Sequence, residues 1–268
     1  MVFSGHSHSY ERSSKEGIYY IVTGGGGADI SNFWDNTSNN SFSQVRILDY
    51  NHVTLDITPE NVKYNAWYNN GSILDNLEIQ SFEGIRDHTL TQDTYISEKY
   101  PNNNYGNSTK LQVIGNDSSI KNKSMLIKWD VSSIQPGSKI KSASIIFNTI
   151  DPTNGTYNIY ELKRDWNESE TTWNNASVGN SWQIPGARGA NDSGHISLGK
   201  VAPKTKGTYK INLNSFGLNL TQKWIDDPSI NYGIKISNVI EKDGAQFNSS
   251  EDQNVNTRPK LLLKYVIQ

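Results

Sequence analysis

Met125-Leu126-Ile127-Lys128-Trp129-Asp130 reads as one strand of a β-sandwich. Side chains alternate across a strand, so Met125, Ile127 and Trp129 share one face, and three large apolar groups on one face are core. On both sides of it, from Leu90 onward, the chain keeps the same character. Short apolar runs sit between closely spaced turn signals, with little helical periodicity. Strands are predicted at 93–97, 110–114, 124–130, 142–150, 155–162, 195–201, 207–213, 231–237, 245–249 and 259–266. One helix is predicted near 215–226, where Phe216, Leu220 and Trp224 recur on one face, Asn214 can cap the start and Pro228 follows the end.

The first third has a different grammar. Val2-Phe3-Ser4 reads as the end of a buried strand, and residues 18–23 as a buried central one. Residues 29–42 are polar loop. Gln44–Tyr50 is a strand. Val53, Leu55 and Ile57 alternate with Thr54, Asp56 and Thr58 as a half-buried strand, with Asn51-His52 as the turn between the two. Val62–Tyr68 turns at Asn70-Gly71, a type I′ hairpin signal, and returns over Ile73–Phe82. Residues 83–88 form a short polar link.

Within that third stands Gly5-His6-Ser7-His8-Ser9-Tyr10-Glu11-Arg12, followed by Gly24-Gly25-Gly26-Gly27-Ala28. Imidazoles at i and i+2 in extended chain project the same way and can reach one metal, or one metal each of a close pair. Two solvated loop histidines give the same pattern. The order of these blocks resembles the last metal-binding block of the calcineurin-like metallophosphoesterases, closest to the purple acid phosphatase type, over roughly residues 1–82. The resemblance implies that His6 ligates one metal of a dinuclear Fe, Zn or Mn centre and His8 the other. The family's remaining ligand blocks lie upstream, and His52, His88 and His195 stand in none of those contexts. Residues 1–82 are therefore expected to be the C-terminal fragment of a metallophosphoesterase domain, inactive alone and completed by a missing N-terminal half.

A second resemblance covers residues 88–268. Its blocks are Asp93-Thr94-Tyr95-Ile96, Pro101 to Asn107, Met125 to Asp130, Asp165-Trp166-Asn167-Glu168, Thr171 to Asn174, Asn231-Tyr232-Gly233-Ile234 and Arg258-Pro259-Lys260-Leu261. Their order is similar to the DNRLRE domain family, also classed as carbohydrate-binding module family 96. It implies a jelly-roll-like antiparallel β-sandwich over 89–268 on a secreted or cell-wall protein, some members binding acidic polysaccharides. Trp166 and Trp173 flank a polar turn, and burial beneath it is expected rather than sugar stacking. Sugar binding needs aromatic faces and planar polar groups, with Arg or Lys for acidic sugars. Trp182, Arg188, Asn191, Asp192 and His195 form one candidate cluster, Tyr100 and Tyr105 another. A solvated loop is the alternative for both. Calcium in the sandwich could draw on Asp93, Asp130, Asp165, Glu168, Asp192 and Asp252.

Composition sets the outer limits. A net charge of −2 gives no argument for nucleic acid, no apolar run is long enough to span a membrane, and the absence of cysteine removes disulfides and thiolate sites. Twelve Asn-x-Ser/Thr sequons, from Asn36 to Asn248, suit an extracellular or cell-surface protein, or reflect simple asparagine bias. The expected function is a fragment of an exported phosphoesterase whose sandwich tethers it to polysaccharide or cell-wall glycan. The alternative is a non-catalytic surface protein with the sandwich as spacer.

Overall fold

In the computed structural model the chain divides into two compact units, Met1–Ser81 and Phe82–Ile267. The structure describes residues 1–27, 29–30, 41–58, 61–86, 91–115 and 118–266, with only the backbone of 80–86. Most of the loop expected over 29–42, the end of the 83–88 link with His88, and the sequons at Asn36, Asn39 and Asn116 lie outside the described residues.

In the first unit, β1 (Val2–Ser4), β2 (Tyr10–Lys15), β3 (Ile18–Thr23) and β4 (Ser43–Ile47) form a sheet in the order β1-β3-β2-β4. β1 runs parallel to β3, with Ser4 opposite Val22, and the other pairs are antiparallel. Glu16 and Gly17 turn β2 into β3 with φ of 52° and 75°, the double left-handed geometry of a type I′ hairpin. β5 (Asn51–Ile57), β6 (Asn61–Tyr68) and the first part of β7 (Ile73–Arg86), which pairs with β6 from Ile73 to Gln80, follow as an antiparallel meander. The unit's core is small: Tyr10, Ile21, Tyr64 and Ala66, flanked by half-buried Val45, Ile47, Val53 and Leu77.

Several expectations for this unit need correction. Val2 and Phe3 are exposed rather than buried, and in β3 only Ile21 is fully buried. Leu55 and Ile57 point to solvent, Ile57 with 68% of its surface exposed. Asn51 begins β5 rather than a turn, because its buried side chain accepts from the Thr23 hydroxyl at 2.8 Å and donates to the Asp49 carbonyl at 2.9 Å. At Asn70-Gly71 only Gly71 has positive φ, so the connection is not type I′. A turn closed by Gly71 N–H to Tyr68 O at 3.0 Å is followed by left-handed Gly71, which gives a three-residue loop. β7 also runs on to Arg86, through the start of the expected link.

The second unit is mainly antiparallel β. Its elements are β8 (Thr91–Ser97), β9 (Lys110–Val113), β10 (Lys123–Trp129), β11 (Lys139–Asp151), β12 (Tyr157–Glu161), β13 (Asn175–Ser177), β14 (Asn180–Ser181), β15 (Gly199–Val201), β16 (Gly207–Asn212), α1 (Ser215–Asp226), β17 (Ile234–Ser237), β18 (Ala245–Asn248) and β19 (Lys260–Val266). One sheet has the order β15-β12-β17-β10-β8. The other is built on β11, with β19 and then β18 along one edge, β16 on the opposite edge, and β9 beyond β18. Between them lies a core to which the first sheet gives Met125, Ile127, Trp129, Tyr157 and Ile236, and the second gives Val113, Ile145, Phe147, Phe247 and Leu261. α1 adds Leu220, Trp224 and Ile225. Asn214 caps the helix by accepting from Gly217 N–H, as the sequence suggests. Phe216, predicted to share the buried face, is instead 54% exposed, because that face runs through Gly217, Leu220, Thr221 and Trp224.

The outer face of the five-stranded sheet is also covered. Ile96 and Leu126 sit one residue out of phase with the sandwich core and pack under Leu162, Trp166, Trp173, Ala176, Trp182 and Ala187. All of these except Ile96 and Leu126 come from one excursion between β12 and β15, closed at its base by a bridge between Leu162 and Ser193. The indoles keep hydrogen bonds: Trp166 Nε1 donates to Tyr232 O at 2.9 Å and Trp182 Nε1 to Thr172 O at 3.0 Å. Trp166 and Trp173 are therefore buried, the reading preferred from the sequence.

Candidate functional site

The rim of this excursion shapes a surface groove of about 670 Å³, lined by Gln92, Lys128, Arg164, Asp165, Trp166, Asn167, Glu170, Ser177 and Asn180. A smaller hollow of about 210 Å³ shares Gln92 and Lys128 with it and extends past Trp129 and Asp130 to Pro228 and Asn231. The two share that wall and together are the cleft. Its polarity follows from the strands beneath. Gln92 and Lys128 are cross-strand partners on β8 and β10, so both side chains leave the sheet on the groove side. Lys128 Nζ lies 3.1 Å from Asp165 Oδ1 and 5.8 Å from the centroid of the Trp166 ring. Arg164 Nη1 donates to Ser181 O at 2.6 Å, and its Nε stands 3.4 Å from buried Asp192. Two cations, two acids and planar amides along an open channel offer paired hydrogen bonds to hydroxyls and charge for anionic groups.

Every residue that lines the larger groove falls within one stretch of matched sequence. Residues 85–185 match the model of carbohydrate-binding module family 96. The match ends inside the tryptophan excursion, while the sandwich of the second unit continues through β15 to β19. No curated protein matches the chain.

The six residues proposed from sequence for sugar binding are not gathered in this groove. Trp182 is 3% exposed and its ring is packed among the other tryptophans, so it has no face to offer a sugar. Arg188 folds back on its own loop: its Nε donates to Pro185 O at 2.7 Å and its guanidinium lies 5.6 Å from the Trp173 ring centroid. Asn191 is exposed, its N–H donating to Gln183 Oε1 at 2.8 Å. His195 opens on a different hollow of about 500 Å³ beside α1, with Phe216 and Lys223. Tyr105 stacks on Tyr95 at 4.3 Å, and Tyr100 is exposed with the Lys99 ammonium 5.7 Å from its ring. Asp192, named with the first cluster, is fully buried and accepts from three backbone N–H groups, those of Gln183, Ile184 and Gly189. It is the staple of the excursion.

Among the carboxylates considered for calcium, Asp93 and Glu168 do converge, joined by Glu251, which sequence reasoning missed. Their oxygens lie within 4.8 Å of one another, and among the described residues no other set of three metal-ligating side chains does so. Burial, the Glu251 charge and the Glu168 charge all push Asp93 well above the usual carboxylate range. Burial lifts Glu168 to about 7, against the hydrogen bond from Asp93 N–H at 2.7 Å. Asp130, Asp165, Asp192 and Asp252 are engaged elsewhere.

In the first unit the two motifs leave the same end of the sheet, because β1 and β3 are parallel. Gly24 N–H donates to Ser9 O at 3.1 Å, and a Cβ at Gly24 would stand 1.9 Å from Ser7 O, so only glycine lets the two loops meet. His6 is exposed with a φ of 73°, and His8 Nδ1 lies 2.7 Å from Asp29 O. No third metal-ligating side chain joins them among the described residues, so the pair does not fit a dinuclear centre. No helix among the described residues is long and apolar enough to cross a membrane.

Proposed function

We propose that the second unit is a carbohydrate-binding module that seats an acidic polysaccharide in the Lys128–Arg164 cleft, outside the cell. One observation carries this reading: the groove with its two cations is lined wholly by residues within the family match. Two neighbouring hollows that share Gln92 and Lys128 suit more than one sugar of a chain rather than a single one. Cations beside a buried indole edge suit uronate rings, whose carboxylates need charge and whose hydroxyls need planar donors. Gel retardation in polyuronate and in neutral glucan tests it. Saturable retardation by the polyuronate, weakened in Lys128→Ala, supports the module. Unhindered migration in every polysaccharide would instead leave the sandwich as a structural spacer.

A second reading concerns the first unit. The adjacency of the His6–His8 loop and the glycine loop favours the tail of a phosphoesterase domain, with this unit as its last sheet segment and the module as its tether. Two imidazoles cannot clamp two cations, so no catalytic step is assigned to these residues. Turnover of p-nitrophenyl phosphate with added Fe, Zn or Mn is expected to be negligible, and robust turnover by the chain would overturn the reading.

A further inference from the structure

Glu168 lies one residue from Asn167 and two from Glu170, both on the wall of the cleft, but its own carboxylate turns inward. There it meets Asp93 of β8 and Glu251, which follows β18 of the opposite sheet. Asp93 is completely buried, and one of its oxygens, Oδ1, has no hydrogen-bond partner, as has Glu251 Oε2. Its other oxygen accepts from Ser250 N–H at 2.9 Å. A buried carboxylate oxygen without a donor is costly, and three carboxylates facing one another add like-charge repulsion. Among the described residues no Lys or Arg forms an ion pair with any of the three.

We propose that Asp93, Glu168 and Glu251 hold a calcium ion that ties the two sheets and the tryptophan excursion to one another. Oxygens bound to a single calcium at about 2.3–2.6 Å stand no more than about 5 Å apart. The three carboxylates meet that limit. The donor set is oxygen only, with no imidazole or thiolate, which selects a hard cation. Unpartnered Asp93 Oδ1 and Glu251 Oε2 are the two vacant donors that such an ion would fill. Three anionic ligands on three separate segments make the ion a cross-link: β8, the turn after Trp166 and the segment after β18. The alternative without a cation is a trio that shares protons. The two differ in what calcium does to the protein. This proposal does not depend on carbohydrate binding.

The full chain, stripped with EDTA and dialysed against calcium, is assayed for bound metal by mass spectrometry and melted at neutral pH. One calcium retained per chain is expected, with a rise in Tm on the order of 5 °C in calcium and little in magnesium. Glu251→Gln changes a partly exposed residue, so the variant should fold. Its circular dichroism is expected to match the parent while both the calcium and the Tm rise are lost. Asp93→Asn is expected to behave alike if it folds. Melting curves that coincide with and without calcium, and no retained ion, would assign the trio to shared protons and overturn the proposal. So would full calcium retention by Glu251→Gln.

Discussion

Arg12 grips both oxygens of Asp75, Nε at 2.6 Å from Oδ2 and Nη2 at 3.1 Å from Oδ1, while the Tyr10 hydroxyl donates to the same Oδ2 at 2.5 Å. Tyr64 in turn donates to Tyr10 at 2.9 Å. The Tyr and Arg of the histidine motif thus hold β2 to β7 rather than facing a substrate. Burial alone would raise the Asp75 carboxyl, but the bonds from Arg12 and Tyr10 outweigh it and hold it below the usual range. Asp75→Asn is expected to destabilise the first unit by about 3–5 kcal/mol, because it leaves Arg12 buried without its counter-charge. The same ion pair stabilises the fold above the ordinary carboxylate pKa and is lost as pH falls through the lower folded value. Hydrogen exchange of β2 and β6 amides, measured from neutral pH down through the acid limb, reads both effects.

For the cleft, Lys128→Ala and Lys128→Glu are expected to weaken polyuronate binding about tenfold or more, roughly 1.4 kcal/mol for each factor of ten. Raising the salt should erode the parent's affinity more than that of either variant. Tyr100→Ala and His195→Ala lie off the cleft and are expected to bind as the parent does. Titration calorimetry at two ionic strengths compares them.

Lys235 is buried under the excursion, donating to Ala187 O at 2.5 Å and Ser193 Oγ at 2.9 Å. Burial, aided by the Arg188 charge and resisted by Asp192, lowers its pKa to about 8. From pH 8 up to the ordinary lysine range the unfolded chain holds a proton that the folded chain has released, so stability rises with pH there. Lys235→Met should flatten that rise, a difference on the order of 2 kcal/mol. Ala187 O keeps a donor in the variant, because Ser193 Oγ bonds it at 2.8 Å. Urea unfolding of both proteins at intervals across that range measures the slope.

Trp182→Ala is expected to cost about 3–5 kcal/mol of stability by opening a cavity among the tryptophans. Trp182→Phe should cost less, mainly through Thr172 O, which loses its indole donor. If the parent binds polysaccharide, Trp182→Phe should retain that binding, since its ring does not reach the cleft. Denaturant midpoints and gel retardation separate the two quantities.

Where period-two alternation was strong, the sequence was readable. Met125, Ile127 and Trp129 share the sandwich core, and the helix over 215–226 starts on its Asn214 cap. What failed was anything set by a second layer. Trp182 and Arg188 look like a sugar platform in a polar loop, but the loop has its own core, and a loop's core has no period to reveal it. Leu55 and Ile57 alternate correctly and are still exposed, because alternation gives two faces without saying what covers either. Glu251 was invisible for another reason. Its partners lie far away in sequence, and only the crossing from one sheet to the other brings them together.

The bridge between Leu162 and Ser193 draws the ends of the tryptophan excursion together as if with a drawstring. Part of what keeps that pouch folded is its own, a carboxylate that gathers three of its amides, and part is the sheet beneath, where Ile96 and Leu126 meet its tryptophans. Its lip is not uniformly free to change, because Arg164 pairs with the buried Asp192 that gathers those amides, and Glu170 accepts from Val178 N–H at 2.9 Å. Gln92 and Lys128, which rise from paired strands of the sheet, line the same groove without belonging to the pouch, so the groove's chemistry can change from the sheet side while the pouch stays closed.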